Sequence, residues 1–116
     1  MTIARQTLGK SGEDLAAAEL ERLGYAVLAR RYRTNHGEID IIAQDGDTLV
    51  FVEVKSRTSA DCGTAAEAVT RDKQRRLASM AADYLARNNL SDVPCRFDVI
   101  AIDGDLLTVI ANAFEV

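Results

Sequence analysis

Two stretches of this chain superimpose with a constant offset of 58 positions, IDIIAQDGDTLVFVEVK from Ile39 and FDVIAIDGDLLTVIANA from Phe97. Each is an apolar run, an Asp-Gly-Asp turn and a second apolar run, which is the pattern of a β-hairpin. The offset pairs Asp40 with Asp98 and Asp45-Gly46-Asp47 with Asp103-Gly104-Asp105. The likeness is one of pattern. Where the first stretch has Glu53 and Lys55, the second has Ala111 and Ala113, so a hairpin of this kind does not itself require the carboxylate and the ammonium.

The remaining elements fall around these hairpins. SGEDLAAAELERLGY opens with a capping-box pattern, Ser11 as N-cap and Asp14 three residues on, and runs as a helix until Gly24. YAVLARRYR is rich in β-branched and aromatic residues and predicts a strand. TRDKQRRLASMAADYLARNN places Leu77, Met80, Ala81, Tyr84 and Leu85 at helical spacing, with Thr70 as N-cap. The order αβββαββ predicts an α/β domain with a central mixed sheet flanked by helices. With 116 residues, one proline and no low-complexity tract, the whole chain, 1–116, reads as one domain with a single core.

Register decides which charges in the first hairpin share a face. A two-residue Gly46-Asp47 loop sets Asp40 directly opposite Glu53, and an Asp45-Gly46 loop sets them diagonal. Under either, Glu38, Asp40, Glu53 and Lys55 lie on one face, with Ile39, Ile41, Ala43, Val50, Val52 and Val54 on the other. Two adjacent carboxylates disfavour each other's ionisation unless a cation intervenes. Lys55 supplies one positive charge, and an Asp-Glu-Lys cluster can be purely structural, although buried ion pairs are poor stabilisers. Asp40 and Glu53 also offer the hard oxygen ligands that Mg²⁺ prefers, with water and substrate phosphate completing its shell. Such an ion would activate water for attack on phosphorus, and Lys55 would contact that water or the phosphoryl oxygens.

Asp40, twelve intervening residues and then Glu53-Val54-Lys55 resembles the PD-(D/E)XK nuclease signature, with Ile39-Asp40 in place of its Pro-Asp. GEIDIIA, LVFVEVKSR, AVTRDKQRRL and RFDVIA resemble, over nearly the whole chain, the YraN family of bacterial proteins, which is similar to archaeal Holliday-junction resolvases. The resemblance implies a restriction-endonuclease-like fold and a Mg²⁺- or Mn²⁺-dependent endonuclease acting on branched or otherwise structured DNA. The alternative is a non-catalytic nucleic-acid-binding or recombination-complex module with a vestigial metal site. It also implies that Glu13, in the first helix, joins Asp40 and Glu53 as a metal ligand, and that Lys73 reaches phosphate, with Gln74 as the competing choice. Glu13 shares a helical face with Ala16, Ala17 and Leu20, an unusual position for an exposed acid.

Charge distribution bears on the DNA expectation. The excess of four negative charges lies in residues 92–116, which carry one basic and five acidic residues, whereas residues 1–91 carry thirteen of each. Basic residues gather as Arg30, Arg31 and Arg33, as Lys55 and Arg57, and as Arg71, Lys73, Arg75 and Arg76. Were they to converge they would make a phosphate-binding surface, for duplex or single-stranded DNA; separately, each is an ordinary solvated face. Tyr32 reads as a packing residue or a base-stacking one, and His36 as a turn residue or a substrate contact. No span has the length or apolarity of a signal h-region or membrane helix, and Cys62 and Cys95 lack metal or redox spacing, which together predict a cytoplasmic protein with reduced thiols. Symmetric junction cutting needs two sites, so a resolvase would form a homodimer, with LLTVIANAFEV nominated as its interface and an edge strand packed within the monomer as the alternative for that segment.

Overall fold

The computed structural model describes residues 11–57, 69–104 and 106–115, so that Cys62 and the turn residue Asp105 lie outside it. Helix α1 (Gly12–Arg22) is followed by strands β1 (Ala26–Thr34), β2 (Gly37–Asp45) and β3 (Thr48–Arg57), helix α2 (Arg71–Arg87), and strands β4 (Cys95–Asp103) and β5 (Leu106–Phe114). This is the expected αβββαββ order. The strands form one sheet in the order β1-β2-β3-β4-β5, parallel at β3–β4 and antiparallel elsewhere. With a helix on each face, this is the restriction-endonuclease-like topology.

The helices begin where their caps predict. The Ser11 hydroxyl accepts from the Asp14 amide and the Asp14 carboxylate accepts from the Ser11 amide, closing a capping box. Thr70 accepts from the Lys73 amide at the start of α2. Gly24, at φ +94°, occupies a conformation that favours glycine just past α1 and turns the chain into β1.

Two cores sandwich the sheet. On the α1 side Ala16, Ala17 and Leu20 pack on Ile41, Ala43, Val50, Val52, Ile100 and Ile102. On the α2 side Leu77, Met80 and Ala81 pack on Ile39, Ile42, Leu49, Phe51, Val99 and Ala101. In β3, Val50 and Val52 alternate with Leu49 and Phe51 as a strand buried on both faces requires. β2 departs from expectation. Ile39 belongs to the α2-side core and not with Ile41 and Ala43, because the strand changes phase at Asp40, which the β1–β2 and β2–β3 ladders both omit.

The β2–β3 ladder pairs Ile41 with Val52, Ala43 with Val50 and Asp45 with Thr48, which leaves Gly46-Asp47 as the two-residue loop, with Gly46 at φ +63°. The β4–β5 ladder pairs Val99 with Ile110, Ala101 with Thr108 and Asp103 with Leu106, the same register displaced by 58. The likeness extends to a side chain. Asp40 Oδ2 accepts from the Val54 amide at 2.8 Å, and Asp98 Oδ1 accepts from the Asn112 amide at 2.9 Å, donors and acceptors both 58 positions apart.

Candidate functional site

In both hairpins the aspartate takes a backbone amide that the ladder leaves unused, but the surroundings differ. Asp98 is fully buried and neutralised by Arg96, whose Nε lies 3.0 Å from Asp98 Oδ1. The Arg96 guanidinium also reaches Asp45 at 3.0 Å and the Tyr25 hydroxyl at 2.5 Å, so its fork is filled and the cluster is structural. Neither Arg96 nor Asp98 was expected to pair. The available signal was their i, i+2 spacing, which puts both on one face of a strand.

Among the described residues no arginine pairs with Asp40 in this way. Continuing the β2–β3 register sets it opposite Glu53, whose carboxyl lies within hydrogen-bonding reach of the Asp40 carboxyl. The Glu53 side chain is 14% exposed. Burial and the neighbouring Asp40 carboxyl push its pKa up to about 7, against a smaller opposing pull from Lys73. Glu53 therefore keeps its proton up to near neutral pH. Lys73 Nζ stands 3.2 Å from Glu53 Oε2, so this buried oxygen has a positive charge nearby, and it has no hydrogen-bond partner among the described residues.

Lys73 is brought there by α2, whose first turn is fixed by Thr70. Gln74 turns away and donates to the Val69 carbonyl at 3.1 Å, which makes Lys73 the residue that faces the pair. Glu53, Val54, Lys55, Val69 and Lys73 line a cleft of about 270 Å³ at the N-terminal end of α2. Lys55 is exposed on its rim, two residues beyond Glu53 on the same face of β3.

The other expected site residues are placed differently. Glu13, 13% exposed, accepts from Arg30 Nε at 3.1 Å and from Arg31 Nε at 3.2 Å, and Arg30 also engages Asp14. Among the described residues no three His, Cys, Asp or Glu side chains gather closely enough to hold a metal ion. Arg33 pairs with Glu38 at 2.9 Å, and Arg75 with Asp72 at 3.5 Å. Arg71 and Arg76 are exposed on α2, and Arg57 ends β3, its side chain outside the described residues. The β1 arginines thus meet α1 and Glu38, while the α2 group starts beside the cleft. Tyr32 packs edge-on against Tyr84 and donates to Asp83 at 2.8 Å, a packing role, and His36 sits in the β1–β2 turn.

Residues 12–102 match the uncharacterised protein family UPF0102. The chain belongs to the UPF0102 family. It is 51% identical to the UPF0102 protein of Geobacter sulfurreducens, over 93% of this chain and 88% of the relative. With the UPF0102 protein of Symbiobacterium thermophilum it shares 52% identity over 93% of this chain and 96% of the relative. The Chlorobaculum tepidum UPF0102 protein is 52% identical, over 85% and 77% of the two chains. The UPF0102 match runs from the first residue of α1 through Ile102 of β4 and so takes in every element that builds the cleft. No helix among the described residues of this UPF0102 protein is long and apolar enough to cross a membrane.

Proposed function

We propose that this UPF0102 protein is a nucleic-acid-binding module of nuclease-like fold, whose Asp40–Glu53 pocket takes Mg²⁺ or Mn²⁺ and whose cleft receives a backbone phosphate of branched or otherwise structured DNA. The observation that carries the reading is the carboxyl pair itself: a buried Glu53 oxygen without a hydrogen-bond partner among the described residues, beside a second carboxyl, with Lys55 and Lys73 at the mouth. The donor set fits a hard divalent cation, which takes one or two carboxylates and leaves positions for water and phosphate. When bound, the cation would supply the positive charge that lets Glu53 ionise beside Asp40 and would attract a phosphoryl oxygen. Asp40 and Glu53 would hold it. Lys55 and Lys73 orient the phosphate from the cleft wall, and the N-terminal end of α2 adds its own attraction for an anion.

Binding is preferred over hydrolysis because Glu13, the third carboxylate that the nuclease resemblance implies, is engaged by two arginines. A second reading, a Mg²⁺- or Mn²⁺-dependent endonuclease, is favoured by Lys55, which stands on the strand face of Glu53 where a developing phosphoryl charge would need it. Four-way-junction, flap, single-stranded and duplex DNA, each with Mg²⁺, Mn²⁺ or EDTA, separate the two. The module binds structured DNA with a steep salt dependence and leaves every substrate intact. Metal-dependent cleavage that Lys55→Ala abolishes would replace it with the endonuclease, and paired symmetric cuts by a dimer in light scattering would make that a resolvase. Absence of salt-sensitive binding to any DNA would overturn both.

A further inference from the structure

The two hairpins meet their buried carboxyls with different kinds of cation. Beside Asp98 the Arg96 side chain is 21% exposed and also reaches Asp45 and the Tyr25 hydroxyl, so three partners hold it in place. Beside Glu53 the cation is Lys73, whose Nζ lies 3.2 Å from Glu53 Oε2. Glu53 is the carboxylate that Lys73 pairs with among the described residues, and the contact brings charge to an oxygen with no hydrogen-bond partner among them. The Lys73 side chain is 32% exposed and borders the cleft that Lys55 also lines. Its four-carbon stem can therefore turn within the cleft while α2 stays docked through Leu77, Met80 and Ala81.

One ammonium does not balance two carboxylates. With Asp40 and Glu53 both ionised, Lys73 leaves the group one negative charge in excess, which a divalent ion in its place would cancel. A monovalent ion brings no more charge than the ammonium and has to outcompete a group that α2 holds at the pocket at high effective concentration. We infer that Lys73 is the resident countercation of Glu53 and sets the valence of its replacement: its ammonium yields the buried oxygen to a divalent ion and not to a monovalent one, and on release turns to the phosphodiester in the same cleft. The inference rests on the proposed metal pocket and adds to it the residue that selects the ion. Because a buried carboxylate without a partner is costly, Lys73 leaves only as another cation arrives. Release of Lys73 also couples the two ligands, so that phosphate held by the freed ammonium tightens the divalent ion by the factor by which the ion tightens phosphate.

Amine acylation of the full chain at pH 8, read residue by residue by mass spectrometry, tests this with no dependence on activity. Lys55, exposed on the rim, is the internal reference. Saturating Mn²⁺ raises acylation of Lys73 relative to Lys55 at least about fivefold, the lower end of coupling between linked sites. K⁺ at equal ionic strength leaves the ratio unchanged. A short single-stranded oligonucleotide added with Mn²⁺ protects Lys73 again. In Glu53→Gln, shown to be folded by circular dichroism, Lys73 is already acylated at the raised rate and Mn²⁺ has no further effect. Calorimetry run in parallel reports whether Mn²⁺ is bound. Bound Mn²⁺ that leaves the Lys73 ratio unmoved would overturn the exchange and leave the metal pocket standing, and K⁺ that exposes Lys73 as fully as Mn²⁺ would overturn the selection by valence. Absence of Mn²⁺ binding to the wild-type chain would remove the pocket and the exchange together.

Discussion

Replacing Glu53 by glutamine isolates the energetic consequence of burying that carboxyl beside Asp40. Free in an unfolded chain, Glu53 titrates at the ordinary glutamate value of 4.5; in the fold it is pushed up to about 7. The folded state therefore binds this proton more tightly than the unfolded one, and the associated stability is fully present below pH 4.5 and lost as pH rises through 7. At about 1.4 kcal/mol per decade of proton affinity, the interval corresponds to about 3 kcal/mol, of which about 2.5 kcal/mol falls between pH 5 and pH 8. Glutamine keeps the shape and carries no titrating proton, so the stability of Glu53→Gln relative to wild type rises by about 2 to 3 kcal/mol across that range. Urea unfolding followed by far-ultraviolet circular dichroism, in EDTA at several pH values from 5 to 8, measures it. The readout is the slope of the difference, which a constant packing defect in the variant does not alter. A flat difference, or one that falls as pH rises, would show that Lys73 holds Glu53 ionised and that the cluster is a structural ion pair.

The same proton governs the cation. Mn²⁺ affinity falls as pH drops below about 7, approaching tenfold per pH unit, and calorimetry in buffers of different ionisation enthalpy detects a proton released on binding at pH 6. Asp40→Asn and Asp98→Asn have opposite outcomes in urea at pH 8. The first keeps an acceptor for the Val54 amide and relieves repulsion, leaving stability unchanged or higher; the second removes the fully buried carboxylate that pairs with half-buried Arg96 and costs about 3 kcal/mol. Phe51→Ala, emptying the α2-side core beside Tyr84 and Phe97, costs about 3 to 5 kcal/mol by the same assay and leaves Mn²⁺ affinity within about twofold.

Local patterns carried most of the fold. Ser11, Thr70 and Gly24 mark helix ends through bonds and dihedrals that involve only near neighbours, and the Asp-Gly-Asp turns define both hairpin registers. The opposition of Asp40 and Glu53 followed from one of the two loops open in the sequence. What was not legible depended on departures from regular strand geometry. Strict alternation put Ile39 with Ile41, and the phase change at Asp40 is invisible to periodicity because it arises from a side chain replacing a ladder bond. Helical spacing placed Glu13 on the inward stripe correctly, but its capture by Arg30 and Arg31 needs the tertiary approach of β1 to α1. The choice between Lys73 and Gln74 likewise awaited the rotation of α2 that sends Gln74 to the Val69 carbonyl.

The bond from Asp98 to the Asn112 amide bears on how this family can diverge. The second hairpin performs it with alanines at the positions of Glu53 and Lys55, so the backbone geometry that holds the aspartate is independent of the residues that would make it chemically useful. Drift at Glu53 and Lys55 can therefore proceed without disturbing strand pairing, and a descendant could keep Asp40 as a strand fastener with neither residue beside it. When family members are sorted by competence, an aspartate at this position is a poor marker. Glu53 and Lys55 together are the informative pair.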